Sequence, residues 1–494
     1  MLSKRTLTAL LACSVILLVG AGAKTAAGPA TAAEIPAKTA VKNPIKHIVV
    51  LDLENHSFDS LLGYWCDNHP GRCPRGGMPS SVKLSDGTVV KPAADPDVVP
   101  LVAHDVASQL AAMNIKNGVP QMNGWQNTAN GECSANSGYA CISGYLPRQE
   151  PNLSALANKF AISDATFSLA DSPSWGGHLY IVLSNLDGFT GDIPVKPLGA
   201  PGAGWGCDSN STTTWSATLG GPPRNVPSCV PDPSLTFSGA PLAHSGAFER
   251  TPVPYEPTIM DELKAAGLSW KFYGGSCKNE VTAPNGLQTC ESGVAGYDWS
   301  PCASIAECLY KQSNHIAPLP RFVTNTAAGK LPAFSVITPS SGNVKDSEHN
   351  GFSITAGDNW IGRIASAVMH SPDWGSTVLF ITWDDCGCFY DQARPGINPD
   401  GSQQGPRVPL VIVSPYARPG YTDSTSTTFA GILAYTEDNF GLPALGVNDA
   451  GAYGFASAFN YAQTPLHPVP MVARKLPASA KRIRLTPELA SDPS

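Results

Sequence analysis

The chain has 494 residues, with 32 Lys and Arg against 39 Asp and Glu and a formal net charge of −7 at pH 7. That balance excludes an ordinary nucleic-acid binder, whose affinity comes largely from cations set against phosphates. With 47 glycines, 45 prolines and 14% of residues charged, the chain reads as a loop-rich folded protein, not a helical bundle or a disordered polyelectrolyte.

The first residues bear on the compartment. Lys4 and Arg5 precede an apolar run over residues 7–19, and small residues follow at Ala21-Gly22-Ala23 and Ala30-Thr31-Ala32-Ala33. That order of positive, apolar and small segments is a secretory signal peptide, placed at residues 1–33. The apolar run falls short of the ~20 residues a membrane span needs, and no later stretch supplies one, so stable membrane insertion is not expected. A lipoprotein reading at Leu11-Ala12-Cys13 fits poorly, because the apolar region continues past the cysteine. Loss of the leader removes Cys13 and leaves an even number of cysteines in an oxidising compartment, where disulfides are expected. Cys66/Cys73, Cys133/Cys141, Cys207/Cys229 and Cys302/Cys308 would close short loops. Cys386-Gly387-Cys388 reads as a structural disulfide in preference to a metal or redox pair.

In chain order, buried strands are expected at residues 45–53, 268–273, 333–337, 377–383 and 408–413, each a short run rich in β-branched or aromatic side chains. Helices are expected at 257–266, at 359–370, where Trp360, Ile361, Ile364, Ala365 and Val368 recur at helical spacing, and at 429–440. Continuous apolar strands alternating with helices predict an α/β fold with a largely parallel sheet. The interval at about 188–252, rich in Gly, Pro and Ser, reads as an insertion over that sheet. Residues 34–494 are taken as a single domain carrying this insertion, with a peripheral tail after Pro465.

Ligands of such sheets sit beyond the carboxyl ends of the strands, and polar clusters adjoin two of them. The first is Glu54-Asn55-His56-Ser57-Phe58-Asp59, an acid and an amide side by side, suited to a hard cation; a polar turn ending in a helix N-cap is the plainer reading. The second is Asp384-Asp385, two acids that repel each other unless something positive sits near them. The loop Asp171-Ser172-Pro173-Ser174-Trp175-Gly176-Gly177-His178 offers a nucleophile in Ser174, with glycines that admit a close ligand. His104 and His349 complete the titratable inventory. The residues alone reach as far as a metal-assisted hydrolase with oxygen ligands.

The string IKHIVVLDLENHSFDSLLGY resembles the start of the bacterial phosphoesterase family that contains acid phosphatases and nonspecific phospholipases C. The order of later pieces is similar too: His104-Asp105, QMNGW at Gln121, DSPSWGGHLYI at Asp171, EHNG at Glu348, DWGSTVLFITWDDCGCFYD at Asp373 and GPRVPLVIVSPYARPG at Gly405. The resemblance implies an alkaline-phosphatase-like α/β sandwich, its largely parallel central sheet flanked by helices, with loop-rich insertions. It implies Glu54, Asn55, Asp384 and Asp385 as ligands of a divalent metal (Ca, Mg, Mn or Zn) and Ser174 as the nucleophile that becomes a phosphoserine. His104, His178 and His349 then fall where relatives place phosphate-contacting or acid–base groups. Three departures concern substrate preference: Gly177 stands where relatives carry Asn, Cys386-Gly387-Cys388 replaces a Gly-rich stretch, and Asp391-Gln392 replaces Asp-His.

The expected activity is hydrolysis of small phosphate esters by a secreted, acid-phosphatase-like enzyme. A phospholipase C acting on phosphatidylcholine-type lipids is the second reading. A noncatalytic extracellular phosphate- or metal-binding protein is a third; it would keep the ligands and lose the serine. The partners are accordingly a phosphate-ester or phospholipid substrate, with no nucleic acid.

Overall fold

The run His-Ile-Val-Val-Leu-Asp-Leu forms strand β1 (His47–Leu53), buried from its second residue onward in the middle of an eight-stranded sheet. The structure, a computed structural model, describes residues 43–483 apart from residue 187 and residues 191–206, 208–211, 218–221, 231–255, 275–279, 283–287, 291–299, 312–314 and 340–345. The leader expected at 1–33 and most of the insertion expected at 188–252 lie outside the described residues.

The other strands of the sheet are β2 (Ala161–Ser163), β3 (Trp270–Gly274), β4 (Ile316–Pro318), β5 (Phe334–Ile337), β6 (Thr377–Trp383), β7 (Leu410–Val413) and β8 (Thr422–Asp423). Their order is β4-β3-β5-β1-β6-β7-β2-β8. From β4 to β6 every pairing is parallel, whereas β7 runs antiparallel to both neighbours and β2 pairs β8 in parallel. This is the expected mixed α/β architecture. β7 reverses direction because the chain between β6 and β7 forms no helix, and a parallel return needs a long crossover.

Helices flank the sheet: α1 (Phe58–Asp67), α2 (Pro151–Lys159), α3 (Trp175–Leu179), α4 (Ile354–Met369) and α5 (Ala430–Phe440). Expected at 359–370, α4 starts earlier, because the Ser353 hydroxyl caps it by accepting from the Ala356 N–H at 3.3 Å. The segment after Pro465, expected to be peripheral, is tied to this layer. Asn152 and Asn359 each use both ends of the amide on the backbone of Val472 and Arg474, at 2.7–2.8 Å. Among the described residues no helix is long and apolar enough to cross a membrane.

The register of β1 against β6 places the two polar clusters together. Leu53 pairs with Trp383, and the Asp384 N–H continues the ladder to the Leu53 carbonyl at 3.0 Å. Glu54-Asn55 and Asp384-Asp385 therefore leave the sheet side by side at its carboxyl edge.

Candidate active site

The plainer reading of residues 54–59, a polar turn ending in a helix N-cap, is what the backbone forms. Ser57 caps α1 by accepting from the Ser60 N–H at 3.1 Å, while Glu54 and Asn55 turn toward the acidic pair. Asn55 sits at φ 57°, in the left-handed region that Asn tolerates better than most residues, and its N–H donates to Asp384 Oδ1 at 2.7 Å. Glu54, Asn55, Asp384 and Asp385 are all 0% exposed.

Ser174 joins them from the start of α3. Its backbone, at φ 25° and ψ −86°, is strained for a residue with a side chain, and such strain gathers where a side chain must be aimed. The Ser174 N–H and Oγ both donate to Asp385 Oδ2, at 2.8 and 2.9 Å. The other oxygen of Asp385 accepts from the Gly387 N–H at 2.6 Å.

One turn further along α3, His178 enters the same cluster. The resemblance gave it a phosphate-contacting or acid–base role, yet both ring nitrogens face carboxylates: Nδ1 to Asp52 at 2.5 Å and Nε2 to Glu54 at 2.8 Å, with Asp384 at 3.7 Å. Burial disfavours the imidazolium, but Asp52, Asp384 and Asp385 together outweigh it and push the ring's pKa up. Burial first, then Asp385 and Glu54, holds Asp384 well above the ordinary carboxylate range. Asp52, absent from the sequence-derived candidates, is raised by burial against the opposing pull of His178. Its signal was present: an acid inside an otherwise apolar strand, two residues before Glu54 and so on the same face.

His349 comes within reach through Asn55. With the Asn55 amide turned so that its nitrogen donates to both Asp385 oxygens at 3.0 Å, its oxygen accepts from His349 Nε2 at 2.8 Å. His104 stands further out, its ring edge-on to His349 with 5.5 Å between centroids. Glu348, between Ser347 and His349, adopts φ 70° and accepts from the Trp383 indole N–H at 3.0 Å.

The donor set fits a metal ion. Glu54, His178 and Asp384 each present a ligand atom within 4.8 Å of the others and could hold one. In the other orientation of the Asn55 amide its oxygen faces the two Asp385 oxygens, an arrangement that a cation among them would reconcile.

The four expected short-loop disulfides are all present: Cys66–Cys73, Cys133–Cys141, Cys207–Cys229 and Cys302–Cys308. Cys386 and Cys388, read as part of a structural disulfide, are instead free and buried. They flank the glycine whose N–H holds Asp385.

The carboxyl edge of the sheet gathers buried acids around a hydroxyl, and comparison with known proteins makes the class a phosphoric ester hydrolase. The chain belongs to the phosphoesterase family, whose model matches residues 45–443. It is similar to non-specific phospholipase C6 of Arabidopsis thaliana, 24% identical over 87% of this chain and 75% of that one. To non-specific phospholipase C1 of the same plant it is 23% identical over 77% of this chain, spanning 62% of the relative's length. Among solved structures, a protein of the alkaline phosphatase superfamily from Vibrio parahaemolyticus overlaps it with a TM-score of 0.36 and 11% identity, over 83% of this chain and 70% of that one. An overlap that loose carries no argument about the site.

Proposed function

We propose that this chain is a divalent-cation-dependent phosphoesterase working outside the cytoplasm, in which Ser174 attacks phosphorus and is transiently phosphorylated. The observation that carries the reading is the Ser174 hydroxyl, aimed by a strained backbone onto Asp385 amid buried acids. A cation held by Glu54, Asn55, Asp384 and Asp385 would supply positive charge to the phosphoryl oxygens and favour the ionised hydroxyl.

The chain's own groups do the rest. Ser174 donates its proton to Asp385 Oδ2, so the proton displaced when Oγ bonds to phosphorus has an acceptor 2.9 Å away. The Ser174 N–H grips the same oxygen and keeps the hydroxyl from turning aside. On this reading His349, with His104 beside it, is the candidate acid for the departing alkoxide as the P–O bond breaks. Water then cleaves the phosphoserine. His178 bridges Asp52 on β1 and Glu54 just beyond it, holding the two carboxylates together. The four disulfides suit an oxidising compartment.

The substrate reading expected from the sequence is a small phosphate monoester. The relatives named phospholipase C favour a second, a phospholipid diester with the same serine chemistry. The two separate on purified protein given p-nitrophenyl phosphate or p-nitrophenyl phosphorylcholine, with and without chelator. Ser174→Ala should lower turnover of whichever ester is used by roughly a thousandfold or more, and a chelator should silence the wild type. Near-normal turnover by Ser174→Ala would exclude the serine as nucleophile.

A further inference from the structure

We propose that Cys386 and Cys388 form a reversible thiol–disulfide site, oxidised by low-molecular-weight disulfides or hydrogen peroxide when the loop that buries the sulfurs opens, whose redox state sets the seating of Asp385. Both thiols are free and fully buried, in a chain whose other cysteines with described side chains are all bonded in pairs. The Cys388 N–H lies 3.2 Å from Cys386 Sγ, so the backbone already folds back on the first sulfur.

The residue between them is the reason the pair matters. Gly387 donates its N–H to Asp385 Oδ1 at 2.6 Å, the carboxylate whose other oxygen holds both the N–H and the hydroxyl of Ser174. Gly387 also sits at φ 55° so close to Asn55 that a Cβ would fall 2.0 Å from the Asn55 carbonyl oxygen. Cys388 comes next at φ 50°, a conformation that a side chain rarely adopts. The loop is thus wound tightly against two residues of the site, with the sulfurs unlinked.

Joining the sulfurs changes that winding. A disulfide needs its sulfurs about 2.05 Å apart with a Cβ–S–S–Cβ dihedral near 90°, and across a single residue this turns the intervening peptide. The Gly387 N–H then leaves Asp385. In the step itself, two Cys thiols and one small disulfide give the Cys386–Cys388 bond and two small thiols, which carry away both protons; the protein pair is oxidised and the small disulfide reduced. With hydrogen peroxide as oxidant the products are the same bond and two waters. The reduced form is the active one, an inference that rests on the part proposed for Asp385 in the reaction.

The test uses the full mature protein, treated with oxidised glutathione or with dithiothreitol too mild to open the other disulfides. Peptide mapping after alkylation should show the 386–388 peptide losing two hydrogens on oxidation. Ester turnover should fall by roughly tenfold or more, as befits loss of a hydrogen bond to a charged group, and return with reductant. Mn²⁺ affinity, measured by calorimetry, should weaken in parallel, and this readout stands even if no ester is turned over and the phosphoesterase reading itself fails. Cys388→Ser, or Cys386→Ser if the first does not fold, should leave turnover and Mn²⁺ affinity indifferent to oxidant. Failure of the native wild type to form the bond overturns the proposal, as does a bond that alters neither readout.

Discussion

The resemblance leads one to expect a side chain at Gly177, and here there is no room for one. A Cβ would lie 2.5 Å from the carbonyl oxygen of Asp384 and 3.0 Å from its carbonyl carbon, so the obstacle is backbone and cannot swing away. Gly177→Ala should therefore displace the acid, costing about 1–3 kcal/mol in stability and lowering turnover with it. Gly375, which has open space around the same position, supplies the control: Gly375→Ala should melt within a degree or two of wild type. If both variants melt and turn over alike, the end of β6 yields freely and the contact carries no constraint. The sequence shows Gly177 as a missing amide, a change in what touches substrate; only the structure shows it as space that Asp384 fills. Glu54, Asn55, Asp384, Asp385 and Ser174 could be named from motif order alone. Asp52 left a signal, an acid inside an apolar strand, but its ion pair with His178 did not, because that pair joins a strand to a short helix more than a hundred residues away.

At the scale of elements, the sheet was legible where its strands are long apolar runs. β6 begins and ends where its sequence predicts, and β1 ends at Leu53. The two- and three-residue strands β2, β4 and β8 leave no such run and owe their places to neighbours. What locks the loops beyond the strands was equally hidden. Arg407, fully buried, reaches Asp59 at 2.8 Å on α1 and both oxygens of Asp391 at 3.1 Å in the loop after the acidic pair. Its guanidinium also lies 4.1 Å from the centroid of the Phe58 ring. Burial, then the charge of Asp391, pushes Asp59 up to about 8 even with Arg407 opposing. Arg407→Met keeps much of the volume and leaves the Asp59–Asp391 pair without its cation. It should cost about 3–5 kcal/mol, the usual result of removing one partner from a buried ion pair. Urea denaturation reads this directly, and a loss below about 1 kcal/mol would mean that the two acids simply share a proton.

For the molecule as a whole, the question is how a fold tolerates Asp52, Glu54, Asp384 and Asp385 at one sheet edge, each 0% exposed. His178 answers for part of that charge. Asp385 leans on three donors, the N–H and hydroxyl of Ser174 and the N–H of Gly387. The remainder is repulsion that the folded chain carries and the unfolded chain, with the same acids in water, does not. A cation bound among these oxygens binds the folded state alone, so it must raise stability by mass action: about 2.7 kcal/mol at a hundred times its dissociation constant. For a chain of this size that is roughly 2–5 °C in melting temperature. Chelated protein melted in Mg²⁺, Ca²⁺, Mn²⁺ and Zn²⁺ should show the shift, and the ion giving the largest shift at equal concentration is the one the donor set prefers. Asp384→Asn should melt at or above the chelated wild type, since it removes an acid whose ionisation burial and its acidic neighbours oppose, and should respond less to every ion. A wild type indifferent to all four ions would leave the acids held by protons and hydrogen bonds alone, and would take the cation out of the reaction.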